Sequence, residues 1–396
     1  MINKAKAAPN KKNHLSNGVE IIKKGYNRSI NILERCSQPN GFSASGQKGG
    51  YEGLWARDSM IASLGASLIK TKFKNTFQKS LELLSKNQSE LGQIPNAVGD
   101  YNTDRKSNIT FNTIDSSLWY LIGHSVYNQS YRDNELLKKY QKNLDRAFLW
   151  LKYQDPNEDS LLAQQPTMDW QDAFPHKYGH VINTQALYYA ALKMFGQNKL
   201  AEHIKKVVNA EEEKYLSLYD EKLGYYLPWV WKNHDGDREQ EDWFDTLGNL
   251  LAIITGLATP EIALSIINYI EKNKINRPYP AKAIYPPIKP GDKAWHSYFS
   301  QCSAKDPYNY LNAGIWPFIG GFYVAALIKI KDYKKANIEL DNLAKANELG
   351  RDGEWEFNEW LSGETGQAKG TPFQAWSAGT FLYAAECVKQ KKVLFF

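Results

Sequence analysis

The segment MDWQDAFPHKYGHVINTQALYYAALKMF, residues 168–195, carries the clearest indication of the fold. Its first half places two acids, two histidines and several aromatic side chains in a turn, and its second half, residues 181–195, is apolar on nearly every side. A helix that lacks a charged face is buried all round. The segment therefore predicts a polar turn at the entrance of a central helix.

The same contrast recurs along the whole chain. Helices that are apolar nearly all round are predicted at about 55–70, 115–127, 181–195, 244–257, 315–329 and 373–388. Helices with a charged face alternate with them at about 18–36, 75–88, 135–153, 199–218, 260–273 and 332–347. Six buried helices ringed by six surface helices form an all-α (α/α)6 toroid. Short hairpins are predicted near residues 224–231 and 275–288, with loops, at the end where the polar turns lie.

Charge and composition limit the domain organisation and the partners. The first thirty residues carry seven basic side chains against one acid, which accounts for the whole formal net charge of +6. We therefore expect residues 1–16 to be a flexible basic tail, residues 17–396 to be a single catalytic domain, and nucleic acid not to be a partner. No apolar run reaches the length of a membrane span or a signal peptide, so we expect no membrane partner.

The three cysteines, Cys36, Cys302 and Cys387, are far apart and have neither metal-ligand spacing nor a disulfide framework. An odd number of cysteines is typical of a reducing compartment, and we expect a cytoplasmic protein. No nucleotide-binding glycine loop is visible, and the histidines lack companions for a metal site. We therefore expect neither a metal nor another cofactor.

Acidic residues open or precede the buried helices, whose amino termini collect at one end of a toroid. These acids are Asp58, Asp115, Asp169, Asp172, Asp242, Asp245, Glu356 and Glu359. Taken singly, each is more typical of a helix cap or an ion pair. Aromatic residues make up 13% of the chain, including 12 Trp, and aromatic faces stack on sugar rings. Two carboxylates beside such walls are what glycosidic bond cleavage requires.

Several motifs resemble those of one family. GLWARDSM (residues 53–60) resembles the W-x-R-D segment of glycogen-debranching enzymes, and GQIPN (92–96) with TIDSSLW (113–119) resembles a second segment of theirs. TLGNLLAI (246–253) and YLNAGIWP (310–317) are similar to runs in neutral/alkaline invertases, and EWLSG (359–363) with QAWS (374–377) resembles a segment that carries a catalytic base. Over about residues 51–385, the chain resembles the (α/α)6 glycosidases of the amylo-α-1,6-glucosidase and neutral/alkaline invertase type.

The resemblance implies that Asp172 is a general acid and Glu359 a general base. It also implies an inverting mechanism, in which the two carboxyl groups stand about 6.5–9.5 Å apart with water between them. Asp169 and Glu356 are the alternatives, because a short shift of the alignment would exchange the roles. The apolar neighbours of Asp172 oppose its ionisation, whereas a helix amino terminus favours it.

The other predicted site residues are expected to bind sugar hydroxyls or to form the walls of the cleft. Arg57 and Asp58 are expected to hold hydroxyls, although a buried structural ion pair is an equal alternative, and about half of the tryptophans are expected to belong to the core only. The full substrate-binding set is Trp55, Arg57, Asp58, Asn96, Asp115, Trp119, Trp170, Gln185, Trp243, Asn312, Trp316, Gln374 and Trp376.

The sequence thus predicts an inverting glycoside hydrolase acting on a small glucose-containing saccharide, similar to an α-glucosidase. The first alternative is a neutral/alkaline invertase that hydrolyses sucrose. More distant alternatives are a sugar epimerase or uronate lyase, which would use His or Tyr for proton transfer, and a non-catalytic sugar-binding protein on the same toroid. The expected partner is a small saccharide, and the sequence leaves room for a homo-oligomer.

Overall fold

The computed structural model describes residues 11–103 and 105–396, and helices dominate it. In chain order the α-helices are α1 (Lys11–Cys36), α2 (Ala56–Ala66), α3 (Lys74–Lys86), α4 (Asp115–Tyr131), α5 (Glu135–Lys139), α6 (Gln141–Lys152), α7 (Ile182–Met194), α8 (Asn198–Val208), α9 (Thr246–Thr255), α10 (Pro260–Lys272), α11 (Pro317–Lys329), α12 (Tyr333–Glu348) and α13 (Ala375–Gln390). Two 3-10 helices follow α10, at Ser297–Gln301 and Ser303–Lys305.

Six of these helices form a closed inner ring. Helix α2 packs on α4, α4 on α7, α7 on α9, α9 on α11, α11 on α13, and α13 returns to α2. Every residue of α2 is buried, as is nearly every residue of α9 and α11, because an inner helix contacts protein on all sides. The predicted all-α (α/α)6 toroid is confirmed.

The outer helices bury one face only. Helix α8 buries Ala201, Ile204, Val207 and Val208, which recur with the helical period, and exposes the charged residues between them. Helices α2 and α13 of the inner ring approach each other closely, since a Cβ on Gly65 would stand 1.9 Å from the carbonyl oxygen of Gly379. Glycine at this position therefore lets the two helices touch.

Three predicted outer helices have different bounds. Helix α1 begins at Lys11 rather than near residue 18, so residues 11–16 of the predicted tail are helical, and residues 1–10 lie outside the described residues. The helix predicted at 135–153 is broken into α5 and α6 at Tyr140, whose ring packs against His124 of α4. The helix predicted at 199–218 ends at Val208, and Ala210 beyond it has a positive φ of 63°.

Short antiparallel strands lie between the helices. They are β1 (Ser37–Gln38), β2 (Gly41–Phe42), β3 (Leu54–Trp55), β4 (Ala97–Asn102), β5 (Ser107–Thr110), β6 (Ala163–Gln164), β7 (Gly179–Val181), β8 (Tyr219–Asp220), β9 (Tyr225–Tyr226), β10 (Trp229–Lys232), β11 (Arg238–Gln240), β12 (Phe244–Asp245), β13 (Ile284–Tyr285), β14 (Trp360–Leu361) and β15 (Ala368–Lys369). The larger sheets have the orders β3-β4-β5 and β11-β10-β7-β6, and the remaining strands pair as β1-β2, β8-β9, β12-β13 and β14-β15.

The strands mark the amino-terminal end of the inner ring, since β3, β7 and β12 run directly into α2, α7 and α9. The hairpin predicted near 224–231 corresponds to two hairpins, β8-β9 and β10-β11, which meet in that segment. The hairpin predicted at 275–288 is wrong, because β13 pairs with β12, about forty residues earlier in the chain. Prolines 278, 280, 286 and 287 remove donors that a local ladder would need.

Within the part of the chain that the structure describes, no helix combines the length and the apolar character that a membrane crossing requires.

Candidate active site

A pocket opens at the amino-terminal end of the inner ring. Trp55, Trp316 and Gln374, which immediately precede α2, α11 and α13, all contribute to its wall. The complete lining is Ala44, Tyr51, Trp55, Arg57, Asp58, Trp170, Asp172, Tyr310, Trp316, Glu359, Gln374 and Trp376. Nine of these residues are members of the predicted site, so the amino termini of the inner helices do bring distant motifs together.

Asp172 is a half-buried side chain of this pocket. The pKa of its carboxyl is raised to about 6: burial is the largest cause, the Arg57 guanidinium opposes the rise, and the neighbouring carboxylates of Asp58 and Asp169 contribute to it. A carboxyl group with this pKa carries a proton in a substantial fraction of molecules near pH 6. Asp172 can therefore donate a proton under mild conditions.

Glu359 lines the same pocket from the segment that leads into β14 and is 7% exposed. Its Oε2 accepts a hydrogen bond from the Thr371 backbone N–H at 3.0 Å, and its Oε1 accepts one from the Tyr51 hydroxyl at 3.5 Å. The pKa of this carboxyl is raised to about 7: burial is the largest cause, the Thr371 hydrogen bond opposes the rise, and the carboxylates of Asp58 and Asp172 contribute to it. Gly370 has a positive φ of 68°, and a Cβ there would stand 2.7 Å from Glu359 Oε2, so the segment needs glycine.

Arg57 is the buried cation of the pocket. Its guanidinium lies 3.3 Å from Asp58 Oδ2 and 3.6 Å from Asp115 Oδ2, and 5.8 Å from the centre of the Trp376 ring. Burial raises the pKa of both aspartates to about 6 despite the guanidinium. Arg57 and Asp58 thus form a buried ion pair and also line the pocket, which combines the two predicted interpretations.

Tryptophans form one wall. The Trp170 and Trp316 rings meet edge to face at 5.5 Å, and the Trp376 ring meets Trp316 in the same way at 5.7 Å and stacks on Phe318 at 4.2 Å. Several buried polar atoms of the lining residues have no hydrogen-bond partner among the described residues: Nε1 of Trp55, Trp170 and Trp376, and Nε of Arg57. Because buried polar groups normally have partners, this arrangement suits a ligand rich in hydroxyls.

Two larger cavities share lining residues with the pocket. The hairpin cavity, about 360 Å³, lies along β4 and β5 and shares Trp55 and Asp172 with the pocket. The tyrosine cavity, about 580 Å³, lies beside Tyr298 and shares Tyr51, Tyr310 and Glu359 with it. A separate cavity of about 610 Å³ beside β1 and β2 contains neither Asp172 nor Glu359.

Six predicted residues do not line the pocket. Trp119 is buried and stacks on Phe322, and Trp243 is buried away from the pocket. The Gln185 side chain accepts a hydrogen bond from the Leu162 backbone N–H and donates one to the Leu162 carbonyl oxygen. Asn312 makes the same two hydrogen bonds with Ile288, so both amides hold loops in place. Asp115 lies behind Arg57, as the partner of its guanidinium. The remaining predicted residue, Asn96, lines the hairpin cavity.

The two alternative acids hold backbone turns. The Glu356 carboxylate accepts hydrogen bonds from the backbone N–H groups of Arg351, Asp352 and Gly353 at 2.8–3.0 Å. Asp169 lies 2.8 Å from the fully buried Lys177 ammonium, which also lies 3.6 Å from Asp245. Neither Glu356 nor Asp169 lines the pocket. Asp172 and Glu359 are therefore the members of each pair that can reach a ligand there.

Three lining residues, Ala44, Tyr51 and Tyr310, were not in the predicted set. Tyr310 opens the YLNAGIWP run, so its motif gave a signal that could have included it. Tyr51 follows a Gly/Ser-rich loop without any helical pattern, and only the hydrogen bond between its hydroxyl and Glu359 reveals its position.

Comparison with known proteins gives the family. The family described as Amylo-alpha-1,6-glucosidase matches residues 29–383. A probable alkaline/neutral invertase D of Arabidopsis thaliana is 34% identical over 145 residues, which are 36% of this chain and 26% of the relative. The chain thus spans about a quarter of the length of this curated relative.

Solved structures confirm the toroid. A GH63 mannosylglycerate hydrolase from Thermus thermophilus, in complex with Tris and D-glycerate, has a TM-score of 0.65 at 14% identity, covering 90% of this chain and 99% of that one. A rhamnosidase from Klebsiella oxytoca with rhamnose bound has a TM-score of 0.63 at 15% identity, covering 92% of this chain and 63% of that one. With a family match over most of its length and this fold, the chain belongs to the amylo-alpha-1,6-glucosidase family of glycoside hydrolases.

Proposed function

We propose that the protein is an inverting glycoside hydrolase that cleaves a glycosidic bond in a small glucose-containing saccharide. The observation that carries the proposal is the placement of Asp172 and Glu359, 187 positions apart in sequence, in one aromatic pocket. Burial raises the pKa of both carboxyls, so each can exchange a proton near neutral pH. Such a pair beside tryptophan walls supports hydrolysis more than binding alone.

In this proposal Asp172 is the general acid and Glu359 the general base. Asp172 donates its proton to the leaving oxygen as the bond to the anomeric carbon breaks. Glu359 accepts a proton from the water molecule that attacks this carbon from the opposite face. The reaction thus leaves Asp172 ionised and Glu359 protonated, and the Arg57 charge, which lowers the pKa of Asp172, stabilises the carboxylate that forms.

The roles of the two carboxyls follow from the family resemblance and from their hydrogen bonds. Glu359 accepts hydrogen bonds from Thr371 and Tyr51, and these stabilise the ionised form that a base needs. The pKa order in the free protein points the other way, because Glu359 has the higher value. The two possible assignments predict different effects of substituting Asp172 and Glu359.

The test is a pair of variants assayed with α-D-glucosyl fluoride and with maltose, isomaltose and sucrose. Fluoride leaves without a proton, so Asp172→Asn should lose about a thousandfold or more on the saccharides but far less on the fluoride. Glu359→Gln should lose activity on all four, and azide, which needs no base, should restore turnover of the fluoride. The opposite pattern would exchange the two roles, and wild-type-like activity in either variant would remove that residue from the mechanism.

Inversion itself is tested by NMR of the first sugar anomer released from α-D-glucosyl fluoride. An inverting enzyme gives β-glucose first, whereas initial α-glucose would indicate retention.

A second candidate function is hydrolysis of sucrose. The local similarity to an alkaline/neutral invertase, at 34% identity over 145 residues, supports it. In the saccharide panel, a preference for sucrose over maltose and isomaltose would favour this candidate. The cytoplasmic location and a homo-oligomer stay predictions from the sequence.

A further inference from the structure

The two candidate carboxylates line different cavities beside the central pocket. Asp172 lines the hairpin cavity but not the tyrosine cavity, and Glu359 lines the tyrosine cavity but not the hairpin cavity. The central pocket contains both groups. A sugar held in the central pocket would therefore have one cavity on its acid side and a different cavity on its base side.

We propose that the hairpin cavity binds the leaving group, and that this group is a compact, uncharged, hydroxyl-rich unit of single-sugar or polyol size. The proposal rests on the proposed function. In an inverting reaction the acid contacts the leaving oxygen, and the base contacts water on the opposite face of the sugar ring. The cavity beside Asp172 is consequently the place for the leaving group, and water reaches Glu359 from the tyrosine cavity.

The polar groups of the hairpin cavity are held in fixed orientations. The Asn96 side-chain oxygen accepts a hydrogen bond from the Thr113 hydroxyl at 3.1 Å, which holds the amide of this lining residue in one orientation. Arg105 donates through Nη1 to the Phe111 carbonyl oxygen at 2.8 Å, so its guanidinium is anchored to the hairpin. Amides and a fixed guanidinium are donors that match hydroxyl oxygens.

The charge of this lining favours an uncharged ligand. Among the lining residues that the structure describes, Asp100 and Arg105 carry opposite charges, and Asp172 is neutral when it acts as the acid. A phosphate or a carboxylate would add an uncompensated negative charge beside Asp100. The volume of about 360 Å³ lies near the lower end of the roughly 300–1,000 Å³ typical of ligand pockets, so it suits one small unit rather than a chain.

Tyr101 gives the hairpin cavity an apolar edge. It is 57% exposed and lines the same cavity, and an aromatic face of this kind packs on the C–H surface of a sugar. Asn108 lies on the same hairpin, is exposed and does not line the cavity. The hairpin therefore offers both test positions and a matched control.

The test compares kcat/KM for α-D-glucosyl fluoride with kcat/KM for maltose, isomaltose and sucrose. Fluoride is too small to contact the hairpin cavity, whereas the second sugar of a disaccharide would fill it. Arg105→Ala and Tyr101→Ala should each lower the ratio of disaccharide to fluoride kcat/KM by about tenfold, as expected for the loss of one good contact. Asn108→Ala should keep the wild-type ratio.

A ratio within twofold of wild type in both cavity variants of an active enzyme would overturn this assignment alone. A tenfold fall in Gln301→Ala, a substitution in the tyrosine cavity, without a fall in Arg105→Ala would place the leaving group on the other side. A wild-type protein that turns over neither the fluoride nor any of the three disaccharides would overturn the proposed function itself.

Discussion

Two glutamates three positions apart should respond in opposite ways to the same substitution. Glu359 is buried in the pocket, and its pKa rises from 4.5 to about 7 because ionisation there is unfavourable. At about 1.4 kcal/mol for each tenfold change in proton affinity, the ionised carboxylate costs the fold up to about 3 kcal/mol above pH 7. Glu359→Gln should therefore stabilise the protein by about 1–3 kcal/mol at pH 8.

The sign of the pH dependence follows from the raised pKa. Below about pH 4.5, Glu359 is protonated in both the folded and the unfolded state, so the variant and the wild type should have similar stability. Between about pH 4.5 and pH 7, Glu359 is ionised in the unfolded state but still protonated in the folded state. The wild type therefore loses stability relative to the variant as the pH rises through this range. Above pH 7 the difference should stay constant.

Glu356→Gln is the matched control. Its carboxylate accepts three backbone N–H hydrogen bonds, and removal of a charged acceptor of this kind should destabilise the protein by about 2–3 kcal/mol at pH 8. Urea unfolding followed by tryptophan fluorescence at pH 4.5 and pH 8 measures both variants. If Glu359→Gln is less stable than the wild type at pH 8, the reasoning is refuted. It is also refuted if the difference in free energy of unfolding between this variant and the wild type does not change with pH.

Three further substitutions test other parts of the structure. Lys177→Met removes the fully buried cation between the carboxylates of Asp169 and Asp245 and should destabilise the protein by about 3–5 kcal/mol. A decrease of less than about 1 kcal/mol in the free energy of unfolding in urea would contradict the ion cluster. Arg57→Gln removes the charge that lowers the pKa of Asp172. In the pH profile of kcat/KM, the limb that reports the Asp172 carboxyl should therefore move to higher pH by about one unit. An unchanged limb would show that Arg57 does not affect the pKa of Asp172. Gly65→Ala places a Cβ against the α13 backbone and should lower the free energy of unfolding by about 2 kcal/mol or more. Gly353→Ala is the control, because its Cβ would lie in open space. Equal thermal stability of the two variants would contradict the close contact between α2 and α13.

The helix pattern alone was sufficient to predict the toroid. A helix surrounded by other helices needs apolar residues on every face, and an outer helix needs them on one face only, so the alternation of the two kinds is visible in a single sequence. Helix α1 began earlier than predicted, because amphipathic periodicity marks a buried face and says little about an exposed first turn. The break at Tyr140 depends on packing against α4, which local pattern does not contain.

The position of the site was predictable for a related reason. Motifs at the starts of parallel inner helices must meet at one end of the ring, and nine of the pocket residues were found in this way. The tryptophans could not be sorted, since Trp119 and Trp170 both lie in polar motifs at the entrances of inner helices, yet the first packs in the core and the second lines the pocket.

The sequence by itself therefore determined the alternation of inner and outer helices and the end of the ring where polar motifs gather, because these follow from the period of apolar residues. The tertiary structure alone decided which of Glu356 and Glu359 enters the pocket. Between them Phe357 has a positive φ of 47°, so the backbone departs from a regular helix or strand and no period predicts where each carboxyl points. Glu356 meets three backbone N–H groups, and Glu359 meets Tyr51 from a loop 308 positions away, a contact that exists only after the ring has closed.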